Sequence, residues 1–289
     1  MVLSQHAWRA TFAYIRVLTV DPKGAPGAIK ELQKAGAPRD MIDDTPFPRD
    51  PRAKPRNDSD GKASLWQIVT HTVEADETAR SIALNHAAIL REAAEQSKPV
   101  LICEDDVCLA IEGQELHDVL VDSFNAISSG VADLFYFGHI PWPALISWPY
   151  SEHVVYTFTP LANHSYTVTP KAASVVANAL ETITQYHCDR VMSRLDLTKM
   201  ASYPPAFSQS RPPALMVEGM KKIGVSRSYH WLQSTTSWIA RHILLILGLI
   251  ILIIILVVVL VRQAKQRKKQ STLALATWTL SPARSEDCL

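Results

Sequence analysis

The chain is predicted to be an α/β protein with a largely parallel central sheet, helices on both sheet faces, and one transmembrane helix near the C-terminus. Three observations predict this. Short apolar runs alternate with helix-patterned segments over residues 11–209, the order expected when strands and crossover helices take turns. The runs are continuous rather than alternating, as in strands buried on both faces. Residues 243–261 consist entirely of Ile, Leu, Val and Gly.

Residues 11–20 (TFAYIRVLTV) are rich in β-branched and aromatic residues and predict a buried strand. A Pro/Gly turn and a helix over 28–34 follow, giving a strand-turn-helix opening. Pro46, Pro48, Pro51 and Pro55 punctuate a charged stretch within residues 37–63, which predicts a long surface loop. Residues 74–96 place Ile82, Leu84, Ala87, Ile89 and Leu90 in an amphipathic helix that Pro99 ends. A strand at 100–103 then runs straight into Glu104-Asp105-Asp106. Beyond it we expect a helix at 114–127, strands at 133–137 and 164–169, and a helix at 171–184.

Nearly half of the 289 residues are hydrophobic, enough for a sizeable core and too many for a disordered chain. The net charge of +1 conceals an asymmetry. Six Lys/Arg against Glu286 and Asp287 follow from Arg262 onward, leaving 23 basic and 26 acidic residues ahead of them. A mildly acidic globular part argues against nucleic acid as a partner. Cys103, Cys108, Cys188 and Cys288 form neither a C-x-x-C pair nor a zinc spacing, and Cys103 sits in an apolar run as a buried thiol.

As a helix, the 19 residues of 243–261 would be about 28 Å long, close to the hydrocarbon thickness of a bilayer. Trp238 and Arg241 mark one edge; Arg262, Lys265, Arg267, Lys268 and Lys269 mark the other. The expected organisation is a globular domain over 1–234, a membrane helix over 238–262 and a short basic tail over 263–289. Two criteria for orientation conflict. The basic cluster puts the tail in the cytosol and the domain outside. The lack of a signal-peptide pattern at the start, together with the shortness of the tail, favours insertion after synthesis and a cytosolic domain. The second criterion carries our expectation, with a lumenal domain as the alternative. Asn57-Asp58-Ser59 and Asn163-His164-Ser165 are built-in glycosylation reporters of the outcome.

The acidic triplet lies just past a strand end, where open α/β sheets bind ligands. Carboxylates there can hold a divalent cation through oxygen, and such an ion can neutralise a departing diphosphate. The plainer reading is that Asp105 or Asp106 caps the next helix.

The run Ala83-Leu84-Asn85-His86-Ala87-Ala88-Ile89-Leu90, followed by Val100-Leu101-Ile102-Cys103-Glu104-Asp105-Asp106-Val107, resembles glycosyltransferase family 25. The likeness continues in order through Asp133-Leu134-Phe135-Tyr136-Phe137-Gly138, Ala162-Asn163-His164-Ser165-Tyr166-Thr167-Val168, Cys188-Asp189, and Tyr203-Pro204-Pro205 with Gln209. The resemblance implies a nucleotide-sugar-binding fold of the GT-A type. It further implies an acidic site for Mn2+ or Mg2+, and transfer of a sugar to a glycan, protein or lipid acceptor at the bilayer. On this chain the metal and diphosphate role would fall to Glu104 and Asp106, with Asp105 adjacent. His86 would orient the donor site or be structural. His164 and Tyr166 would lie near the sugar or pack the strand. Asp189 would be a general base, a sugar ligand or a helix cap. The chain departs from the family in Val20-Asp21-Pro22-Lys23-Gly24, where an arginine-rich segment is usual. It departs again in Ala79, Ser81 and Asn85, at usual glutamate, glycine and serine positions. The alternatives are a non-catalytic membrane-tethered module of the same fold and another metal-dependent nucleotide enzyme.

Overall fold

Strands that are apolar on both sides demand cover on both sides, and the chain supplies it in three layers. The computed structural model describes residues 3–48, 75, 77–141, 146–161, 163–183, 186–210 and 229–279. It divides into two units, Met1–Arg241 and His242–Leu289.

In the first unit, α1 (Gln5–Thr11) precedes β1 (Ile15–Leu18), α2 (Pro26–Lys34), a 3-10 turn (Arg39–Met41) and β2 (Ile42–Asp43). Next come α3 (Glu77–Ala94), β3 (Val100–Glu104), β4 (Val107–Leu109), α4 (Gly113–Ser128) and β5 (Leu134–Tyr136). The strands β6 (Ile140–Pro141), β7 (Ser147–Pro149), β8 (Val154–Thr157), β9 (Pro160–Leu161) and β10 (Ser165–Val168) follow. Then come α5 (Pro170–Thr182), α6 (Cys188–Arg194), β11 (Lys199–Ser202) and β12 (Phe207–Gln209), and the last described element is α7 (Tyr229–Thr279), only the first turns of which belong to this unit.

Eight strands form one sheet in the order β2-β1-β3-β10-β5-β11-β8-β7. Alternation along the central strands divides the core. Leu101, Cys103 and Phe135 face α1, α2 and α4, whereas Val100, Ile102, Leu134 and Tyr136 face α3, α5 and α6. The expectation of a largely parallel sheet is corrected to a mixed one: β1–β2, β1–β3 and β5–β11 are parallel, and the other four neighbouring pairs are antiparallel. The physical reason lies between β5 and β10. That stretch contains strands and no helix among its described residues, so β10 returns from the end at which β5 left.

The expected strand over 11–20 is shorter than its composition suggests. Its first residue closes α1, which Ser4 caps by accepting from the Ala7 N–H at 3.3 Å. Arg16, inside β1, is buried without being left unpaired. It forms an ion pair with Asp43, donates to the Thr45 carbonyl at 3.0 Å and lies 4.5 Å over the Phe47 ring. Thr169 caps α5 by accepting from Ala172 N–H at 3.3 Å, with Pro170 at the first helical position. Of the expected proline-rich loop, residues 49–63 lie outside the described residues, as does the Asn57 triplet. Asn163, of the second triplet, is buried and donates to Met192 Sδ at 3.0 Å, so it is no acceptor in the folded domain.

α7 is 51 residues long and contains one segment, Gln233–Gln263, long and apolar enough to cross a membrane. Its first turns belong to the first unit. Gln233, Thr236, Ser237 and Ala240, spaced for one helical face, are buried, and Gln233 Nε2 donates to the Phe207 carbonyl at 3.1 Å.

Candidate functional site

The chain passes from β1 through α2 to β2 on one side, then returns to place β3 on the other side of β1. The C-terminal ends of β1 and β3 therefore flank a topological switch point, the position at which open α/β sheets take ligands. Leu18 and Glu104 are register partners at this end. Asp105 and Asp106 form the turn between β3 and β4, so the acidic triplet sits at the crevice itself.

The turn is followed by a strand and not by a helix, which removes the helix-cap reading of these two acids. α4 begins eight residues after Asp105, with Glu112 as its N-cap. The three acidic residues have different surroundings. Asp105 is exposed and accepts from the Thr19 hydroxyl at 3.1 Å, which ties it to the end of β1. Asp106 is half-buried, and its backbone carbonyl accepts from Ser210 N–H at 2.8 Å.

Glu104 is the most constrained of the three. One carboxylate oxygen accepts from Gln209 Nε2 at 2.9 Å, brought there by the antiparallel β4–β12 ribbon. The other oxygen lies 3.7 Å from Nε2 of the fully buried His86 on α3. Nδ1 of His86 is hydrogen-bonded to the Tyr166 hydroxyl at 2.9 Å. A carboxylate can only accept, so its proximity favours the tautomer with the proton on Nε2, leaving Nδ1 to accept from Tyr166. Tyr166 stands on β10 opposite Ile102, and the His164 carbonyl accepts from Glu104 N–H at 2.9 Å.

A second layer backs this one. The Tyr136 ring centre is 6.3 Å from that of Tyr166, and both hydroxyls are pushed well above their ordinary range by burial first. Asp189, in the first turn of α6, adds its negative charge to that effect on Tyr136. Its carboxylate also accepts from Arg190 N–H at 2.8 Å, in keeping with a place at a helix start. The buried His164 ring donates through Nε2 to the Phe207 carbonyl at 3.3 Å, and burial lowers its pKa. His139, also fully buried, is pushed down to about 3 by burial and then by His164. Cys103 is buried as expected, and desolvation raises its thiol to about 12.

The fold thus gathers Glu104, His86, Tyr166 and the His164 backbone into one network, with Asp105 and Asp106 at its rim and Asp189 one layer behind. Sequence reasoning assigned no role to Thr19 or to Tyr136 and quoted Gln209 without one. The signals were there for two of them: Thr19 lies next to the end of the expected first strand and just past β1, and Gln209 closes the last motif of the resemblance. Among the described residues no three His, Cys, Asp or Glu side chains cluster as metal ligands. A cleft of about 370 Å3 lined by Tyr14, Asp40, Asp43 and Glu92 lies beside the start of β1, at the other end of the sheet from the acidic turn. No family model matches this chain, and no curated protein matches it either.

Proposed function

We propose that the first unit is a GT-A-type glycosyltransferase, akin to family 25, that moves a sugar from a nucleotide-sugar to a glycan, protein or lipid acceptor. The supporting observation is the position of Glu104-Asp105-Asp106 at the switch point between β1 and β3, with Glu104 held by Gln209 and backed by His86. A carboxylate fixed before substrate arrives loses little freedom on binding, which is what a diphosphate site requires.

The donor set is all hard oxygen, suited to Mg2+ or Mn2+ and unsuited to a thiolate-loving ion. The described residues hold no three-ligand cluster, so an ion here would need substrate phosphates and water to complete its coordination beside one or two carboxylates. Glu104 and Asp106 would hold it, with the exposed Asp105 adjacent. Bound there, such an ion would supply positive charge to offset that of the leaving diphosphate. The chain's own residues do the rest. Gln209 holds the Glu104 carboxylate by a hydrogen bond, His86 stands 3.7 Å from its other oxygen, and Thr19 orients Asp105. Asp189 accepts the proton of the acceptor hydroxyl or hydrogen-bonds the sugar. His164 and Tyr166, both fully buried, pack the interior on the Glu104 side, Tyr166 through its bond to His86.

The test is a screen of nucleotide-sugars against the full chain in detergent, with Mn2+ and with Mg2+, reading released nucleotide and transferred sugar. Turnover of one donor is expected. Donor binding without turnover would assign a non-catalytic module, and nucleotidyl transfer would assign the other enzyme class. A cytosolic domain is a separate proposal, independent of the sugar-transfer reading, with a lumenal domain as its alternative. Protease added to sealed membranes is expected to digest it, and a protected domain would reverse that placement.

A further inference from the structure

The two strands at one edge of the sheet carry an apolar surface for which the proposed sugar-transfer site has no use. Ser147 pairs with Thr157 and Trp148 with Tyr156, so alternation puts Ile146, Trp148, Tyr156 and Phe158 on one side of the β7–β8 ribbon. Ile146, Trp148, Tyr150 and Phe158 are exposed, Trp148 at 55% and Phe158 at 58%. Tyr150 meets the Tyr156 ring edge-on at 5.6 Å, joining the patch to the ribbon's turn. An exposed aromatic cluster on an edge strand calls for a partner. Pro149 lacks an N–H, which weakens β7 as a template for strand pairing with a second copy. Residues 146–158 contain no Lys or Arg, so the surface does not suit an anionic partner.

The turn of the ribbon is tied to the helix that leads to the apolar segment. Arg241 Nη1 donates to the Glu152 carbonyl at 2.6 Å, and its guanidinium lies 4.3 Å over the Tyr203 ring. Tyr203 N–H in turn donates to the His153 carbonyl at 2.8 Å. In the chain, Arg241 comes two residues before the run of Ile, Leu, Val and Gly that starts at Ile243. The ribbon's turn is therefore held by the side chain of the last residue of the first unit, which in sequence lies two residues ahead of the apolar run. Trp238, 51% exposed, precedes that point by less than two turns.

We infer that the β7–β8 ribbon is a second membrane contact: Trp148, Tyr150 and Phe158 lie in the interfacial layer of the bilayer that α7 crosses. Aromatic rings favour that layer, and binding there grows with buried apolar area. The inference rests on the reading of α7 as a membrane span. It commits to the apolar-to-headgroup boundary of a phospholipid surface and needs no anionic lipid.

The full chain, its W148F variant and its W238F variant are reconstituted into phosphatidylcholine vesicles. Tryptophan quenching by lipids brominated near the headgroup is then measured at low and high salt. Trp148 is more than half exposed, so its replacement by phenylalanine leaves the core intact. W148F is expected to lose quenching of the same order as W238F, equally at both salt concentrations. Unchanged quenching in W148F, with a loss in W238F, overturns the inference and leaves the membrane helix standing. Chain that neither floats with vesicles nor is quenched overturns both. A change of oligomeric mass in W148F without a change in quenching assigns the face to a second copy and likewise overturns the inference.

Discussion

Replacing Gly138 by alanine probes the junction where the site, the β12 strand and the first turns of α7 meet. A Cβ at this position would fall inside contact distance of His164 Nε2 and of the Phe207 carbonyl oxygen, with Gln233 Nε2 at 3.0 Å. Neither close neighbour can yield cheaply. The oxygen is backbone, and the buried His164 ring is hydrogen-bonded to that same oxygen at 3.3 Å. Overpacking costs about 1–3 kcal/mol. Losing a hydrogen bond to Phe207, from His164 or Gln233, adds roughly 1 kcal/mol. The expected destabilisation is about 2–4 kcal/mol, and at roughly 2–4 °C per kcal/mol for a domain of this size the melting temperature falls by about 4–16 °C. Thermal unfolding of the full chain in mild detergent, followed by tryptophan fluorescence, reads it. Gly27 is the control: it lies inside α2, and a Cβ there meets nothing within 4 Å. Gly27→Ala should therefore stabilise by about 0.5–1 kcal/mol. A Gly138→Ala protein as stable as the parent would refute the packing described around Phe207.

Asp105→Asn should keep the parent melting temperature while donor turnover falls by at least about tenfold, because this exposed acid contributes little to the core and lies at the proposed diphosphate site; unchanged turnover at saturating Mn2+ would sink that role. Asp106→Ala is expected to abolish metal-dependent turnover with the domain still folded, which circular dichroism and a nucleotide-release assay check together. His139 is neutral in the fold, with its pKa near 3, while the unfolded chain takes up a proton at about 6.5. Stability is thus fully present above about pH 6.5 and is lost as pH falls toward 3, by about 1.4 kcal/mol per pH unit for this group. Denaturant titrations from pH 7 down to 4 should show stability falling with pH, and the fall should be shallower in His139→Phe, where the buried His164 still contributes its own share. A chain ended after Arg241 should be more stable than one ended after residue 232 by about 2 kcal/mol, since only the longer retains the Gln233 bond and the buried Ala240; equal denaturant midpoints would refute the docking of these turns.

Local pattern determined much of this protein. The spacing of Ile89 and Leu90 with their neighbours specified α3, the continuous apolar run specified β3, and nineteen residues without a polar side chain specified the long helix. These readings need only a residue and its near neighbours along the chain, because helix faces and doubly buried strands have short sequence periods. The acidic turn was legible for the same reason, as a charge cluster at the end of an apolar strand.

What the tertiary structure decided depends on residues far apart in the chain. The direction of β10 was not legible, because it depends on which end of the sheet the preceding excursion returns to. The shortened first strand depends on Trp8 and Phe12 finding Phe124 across the core. Glu104 meets His86 and Gln209, and His86 meets Tyr166, only after α3, β10 and β12 have converged on β3, and Gln209 is 105 residues from Glu104. The first turns of α7 belong to the domain because Phe207 presents a carbonyl to Gln233. In the linear sequence residues 238–241 read as the edge of a membrane helix, and nothing local marks them as docked on the domain. A hydrogen bond between distant residues leaves no periodic trace along the chain, and it forms only where packing has already brought the partners within three ångströms or so.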